Sequence, residues 1–194
     1  SRLGPLPALL VLALLLSLLD SQDPKKLGYE IPLSSEVKAL ENFAKEVPKD
    51  CLIAGWPSTV ALEYFPYLYA RPVLVLCKIH YPRYVDYTLE LRRRMMALID
   101  AYLGSSPEPL LHLRKEWGVR YLIVDKKHFS KPGYDPSYFA PFDERIAKLL
   151  EKGQERGFFL ANPPKNALVW ENERLSVLDL KKLSISLQRR KAKP

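Results

Sequence analysis

Three apolar stretches of this chain end in side chains that can do chemistry. Those ends read Gly55-Trp56-Pro57-Ser58-Thr59, Lys78-Ile79-His80-Tyr81 and Asp125-Lys126-Lys127-His128. If each stretch is a strand of one parallel sheet, the three ends share a rim, and open α/β sheets bind ligands beyond the carboxyl ends of their strands. Trp56 and Tyr81 suit stacking on a sugar ring or a lipid. Lys78 and Lys126 suit a phosphate as point charges, and His80 can exchange a proton near neutral pH. Ser58, Thr59, Asp125 and His128 complete the candidate ligand-binding set. The competing reading is structural: strands end at solvent, so polar residues follow most of them, and Asp125 then caps a turn or pairs with a lysine. No residue stands out as catalytic.

Several chemistries are disfavoured. No strand is followed by GxGxxG, no GKS or GKT cradle is present, and no GxSxG elbow occurs, which argues against dinucleotide, nucleotide and serine-hydrolase sites of those types. Cys51 and Cys77 lie in the apolar runs CLIAG and VLVLC, where a free cysteine behaves as a small buried hydrophobe. A disulfide between them stays open as an alternative. Neither CxxC nor HxxxH spacing accompanies them, so no metal ligand set is expected in this chain.

The elements that must position the rim follow from periodicity. Val37, Leu40, Phe43, Ala44 and Val47 recur at helical spacing after Ser34 or Ser35 as cap, and Pro48 stops that helix. CLIAG at 51–55 reads as a strand buried on both faces. Ser58 or Thr59 caps a short aromatic-rich helix through 64–68, and 73–77 reads as a second buried strand. A longer helix is expected over 83–103 and another over 108–117, opened by Pro107 and closed by Gly118. The third strand is 121–124, ending at Asp125. A loop follows over 126–137 with a turn at Pro132-Gly133, then a helix over 143–152. Stretches 157–161, 167–171 and 175–179, joined by short turns, read as an antiparallel meander. The expected fold class is therefore α/β, a three-layer sandwich with a short parallel core sheet and a C-terminal antiparallel meander.

The N-terminus is of a different kind. Residues 3–19 are free of charge and would span roughly 26 Å as a helix, a little short of a bilayer core of about 30 Å. A single transmembrane helix over 1–20 is the leading reading, as the last of several in a longer protein. A cleaved signal sequence and a buried helix are the alternatives; DSQDP offers no small-residue cleavage site, and residues 6–16 show no polar face. A linker over 21–34, a soluble domain over 35–180 and a basic tail over 181–194 complete the expected layout.

The formal charge of +8 concentrates in that tail, where Lys181, Lys182, Arg189, Arg190, Lys191 and Lys193 have no acidic companion. The body is nearly balanced, so nucleic acid is not an expected partner. The tail reads as a solvated terminus, with anionic lipid as an alternative contact. Arg92, Arg93 and Arg94 would fan over ~200° of a helix and cannot all face one ligand.

The order of motifs resembles one family. PKDCLIAGWP at 48–57 is followed by YARPVLV at 69–75, LRRRMMALIDAYLG at 91–104, LLHLRKEWGVRYLIVDKKHF at 110–129 and ALVWENERLSVLDL at 167–180. Together they resemble the C-terminal extracytoplasmic α/β domain of polytopic membrane proteins similar to GT-C glycosyltransferases. The resemblance implies transfer of a sugar from a polyprenyl-phosphate donor to a glycan acceptor, with or without a divalent metal. It also implies a catalytic carboxylate in an early extracytoplasmic loop upstream of this chain, so no catalytic residue or cofactor is assigned here. Asp125 matches the strand-terminal aspartate of the pattern. The other function classes are a membrane-tethered module that binds a glycan or protein without catalysis, and a small-molecule enzyme using the rim.

Overall fold

The computed structural model describes residues 34–76, 84–130 and 140–191. The apolar run 3–19, residues 21–33 of the linker expected over 21–34, Cys77, Lys78, His80, Tyr81 and the Pro132-Gly133 turn lie outside the described residues. Among the described residues no helix is long and apolar enough to cross a membrane.

Helix α1 (Ser35–Glu46) starts where Ser34 Oγ accepts the Val37 N–H, and it buries Val37, Leu40, Phe43 and Ala44 on one stripe. Strand β1 (Leu52–Gly55) follows, then α2 (Val60–Tyr69), which ends at Ala70 in the left-handed conformation. Helix α3 (Val85–Tyr102) leads to α4 (Glu108–Trp117). Gly118, at φ 73°, ends α4 where a side chain would be strained and turns the chain into β2 (Val119–Asp125). A one-turn helix α5 (Lys127–Ser130) sits directly after β2, inside the stretch expected to be a loop. Helix α6 (Asp143–Arg156), two 3₁₀ turns at Phe159–Ala161 and Lys165–Ala167, strands β3 (Leu168–Glu171) and β4 (Leu175–Asp179), and helix α7 (Leu180–Lys191) close the chain.

The sheet order is β1-β2-β4-β3. Strands β1 and β2 run parallel, and β4 lies antiparallel to both β2 and β3. The three-layer architecture follows from the pleat, because alternate residues leave opposite faces. Ala54, Leu122, Val124 and Leu178 join one core with Leu98, Ile99, Leu110 and Leu183 from α3, α4 and α7. The alternate residues Ile53, Ile123 and Val177 are buried on the other face. There Phe43 of α1 meets the Tyr121 ring edge-on at 5.4 Å, and Leu62 of α2 closes on Gly55.

Three expectations differ from what is found. Of the expected strand 73–77, the described residues 73–76 reach the sheet through a single bridge from Val73 to Ile53; Pro72, which has no N–H, contributes only its carbonyl to Ile53. Among the described residues the parallel core is thus one full strand pair. The stretch 157–161 is not a strand: it coils into the first 3₁₀ turn, with the Phe159 N–H bound to Gly104 O and Phe158 seated where Gly153 has no side chain. The antiparallel part is therefore β3 and β4 joined to β2. Lastly, the basic tail is a helix as far as residue 191, because Leu180 and Leu183 are fully buried and Asp179 caps its start.

A candidate site at the strand-end rim

Asp125 closes β2 with its carboxylate 4% exposed. One oxygen accepts the Lys127 N–H at 3.0 Å and so caps α5. The other accepts Nε and an Nη of Arg174 at 3.0 and 2.9 Å. Arg174 comes from the tight turn between β3 and β4, and its remaining Nη donates to Glu36 in the first turn of α1. The rim therefore ties the first turn of α1 to the end of the central strand.

A second layer sits beneath the carboxylate. The Tyr102 hydroxyl accepts the Asp125 N–H at 3.0 Å and lies 2.8 Å from Nδ1 of His128. The phenol thus bridges the Asp125 backbone and the His128 ring. Burial pushes the His128 pKa below its ordinary value; Asp125 pulls it back and Arg174 pushes it down again. Trp56 packs on both, 5.1 Å from the Tyr102 ring and 5.9 Å from His128. Its Nε1–H is buried without a hydrogen-bond partner among the described residues. Phe129 extends the stack from Tyr102 to Phe158.

Of the nine expected ligand residues, the structure brings Trp56, Asp125 and His128 into one cluster. Thr59 is nearly buried at the start of α2, its N–H bound to Trp56 O, and Ser58 is exposed in the turn between them. Lys126 points to the β3–β4 turn, donating to Asn172 O at 2.5 Å and Glu171 at 3.2 Å. Lys78, His80 and Tyr81 lie outside the described residues. Sequence reasoning missed Tyr102, Arg174 and Glu36. The only signal was Tyr102 itself, a polar-tipped ring ending an otherwise aliphatic helix stripe.

Chemically the rim is a brace. Its carboxylate is held by a guanidinium and a helix cap, and its imidazole is buried and engaged by a phenol. Among the described residues no group of three His, Cys, Asp or Glu side chains is placed to hold a metal ion. Cys51 is a free, half-buried thiol whose pKa burial pushes up. A larger cavity, about 960 Å³, lies away from the rim between α3 and α4, with Leu89, Met96, Ala97 and Trp117 among its walls. Arg93 and Arg94 cover the Trp117 ring there at 5.8 and 5.5 Å.

The class that the fold defines is a mixed α/β domain built on a four-stranded sheet. No protein-family model matches the sequence, and no curated protein matches it. Among solved structures the chain is similar to the C-terminal globular domain of an oligosaccharyltransferase from Archaeoglobus fulgidus. Identity is 14% and the TM-score 0.45, over 77% of this chain and 99% of that one.

Proposed function

We propose that residues 34–191 are the C-terminal globular domain of a membrane-bound, GT-C-like glycosyltransferase, and that residues 3–19 form a membrane span before it. In this reading the domain is extracytoplasmic. It supports transfer of a sugar from a polyprenyl-phosphate donor to a glycan acceptor, while the reacting carboxylate lies outside this chain. Any divalent metal would belong there too.

The observation that carries the reading is the convergence at the rim. Glu36, Arg174 and Asp125 lock the first turn of α1 to the edge where α/β sheets take ligands. A rim whose carboxylate and imidazole are already engaged suits docking and positioning better than bond-making. This favours a supporting domain over a self-contained small-molecule enzyme.

The test uses membranes from cells expressing the full reading frame, supplied with a radiolabelled polyprenyl-phosphate sugar. Transfer to a lipid-extractable or protein-bound glycan is expected, with loss on deletion of 34–191. Protease added to the outer face of intact cells should cleave within that region. Undiminished transfer after the deletion would sink the proposal, and so would a chain released from membranes by alkaline carbonate.

A further inference from the structure

The first half of α3 stands clear of the domain. Tyr84, Val85, Tyr87 and Leu89 are 77%, 74%, 44% and 52% exposed, whereas Met95, Leu98, Ile99 and Tyr102 further along are buried. A helix on a globular domain ordinarily buries one stripe along its length; here the outer turns carry apolar side chains that no described residue covers. Their charges are segregated in order, Asp86 and Glu90 first, then Arg92, Arg93 and Arg94. Arg93 and Arg94 fold back on Glu90 at 3.6 and 3.0 Å. Neither Asp86 nor Arg92 has an ion-pair partner among the described residues. Alongside runs the groove between α3 and α4, walled by Leu89, Arg92, Met96, Ala97, Pro109 and Trp117.

We propose that this half-helix is a self-association surface, occupied by the same half-helix of a second copy of this chain packed antiparallel across a two-fold axis. The direction follows from the charge order. Antiparallel pairing sets the acidic turns of one copy against the arginines of the other, while parallel pairing in register stacks like on like. A two-fold axis midway between Leu89 and Arg92 lays Val85 of one copy over Met96 of the other, on the groove wall. It also brings Asp86 of one copy within the reach of the other's Arg92. One patch then serves both sides, as a closed two-fold interface requires. A membrane surface fits less well, because anionic headgroups that attract the arginines repel Asp86 and Glu90.

The test uses the full chain in mild detergent. In a Cys51→Ser, Cys77→Ser background, Leu89→Cys should form a disulfide-linked dimer under mild oxidation. Tyr67→Cys, at a position 77% exposed on α2, should not. Sedimentation should show Asp86→Arg with Glu90→Arg weakening self-association by about tenfold or more, and Arg92→Glu with Arg93→Glu doing the same. An equimolar mixture of these two variants should pair again. A monomeric parent chain overturns the proposal. So does a dimer that persists in both charge variants, or a mixture that stays unpaired. A fluorophore on Leu89→Cys that shifts blue on anionic vesicles, with no dimer formed, overturns it in favour of lipid.

Discussion

The two ends of the β2–β4 pair are built alike. Asp125 closes β2 at one end and Asp179 closes β4 at the other, across a register that sets Tyr121 opposite Asp179 and Asp125 opposite Leu175. Each carboxylate is almost fully buried, each caps the helix that follows, and each takes an arginine from a neighbouring strand or turn. Asp179 receives the Lys181 and Lys182 N–H groups at 2.8 and 3.1 Å and an Nη of Arg120 at 2.7 Å. Strand-to-helix junctions of this kind need an acceptor for the first helical N–H groups, and burying that acceptor demands a cation. An aspartate–arginine pair at a strand end is thus a joint of the fold, which the Asp179 end shows with no rim residue near it. What sets the Asp125 end apart is the layer under it, Tyr102, His128 and Trp56, and the extra tie to Glu36.

That comparison is breakable in order of size. Asp125→Ala and Asp179→Ala should each cost about 2 kcal/mol, because each uncaps a helix and takes a charge-assisted acceptor from a partly exposed arginine. Urea midpoints measure this, and a much cheaper Asp125 would mean the two ends are not equivalent. Transfer by membranes carrying the whole protein should fall no further in Asp125→Asn than in Asp179→Asn once folded fractions are matched. An excess loss at Asp125 would give the rim carboxylate a role in the reaction.

Tyr102→Phe should cost about 1–2 kcal/mol, since it leaves the Asp125 N–H and His128 Nδ1 without their shared partner. Only the rim should loosen, seen as faster hydrogen exchange at the Asp125 end of β2 than at the Val119 end. Acid acts on the same layer. The folded state holds His128 below its ordinary pKa, so below about 6.5 the unfolded chain binds more protons and stability rises with pH. The contribution is present above that value and is lost as pH falls, at no more than ~1.4 kcal/mol per pH unit. His128→Gln should flatten that slope in pH-dependent melts. Smallest is Glu36→Gln, worth about 0.5 kcal/mol for a half-exposed pair, with the effect confined to exchange in the first turn of α1.

Much of the scaffold was legible because its signals are local. The stripe Val37, Leu40, Phe43 and Ala44 after Ser34 marks α1, and Pro107 and Gly118 bracket α4. The apolar run ending at Asp125 marks β2. The misreadings share a cause: short apolar runs do not declare their period. Phe158, Phe159 and Leu160 look like half a strand, but the missing side chain at Gly153 opens a seat for a ring that only a coil can fill. In the tail, lysines and arginines outweigh Leu180 and Leu183 in any count, although those leucines, spaced i, i+3, are the helix signal. The rim was half legible. Asp125 and His128 announce themselves at a strand end, whereas Arg174 and Glu36 lie 49 and 138 residues from their partners, and no local pattern reports such a distance.

The position of Trp56 gives the protein its own optical gauge. An indole shut away from water emits at short wavelength, and an imidazolium beside it quenches that emission while a neutral imidazole does not. With Trp117 and Trp170 replaced by phenylalanine, the remaining emission would dim as His128 takes up a proton and redden as solvent comes in. Charging and opening of the rim could then be followed separately, in the same cuvette and without a label.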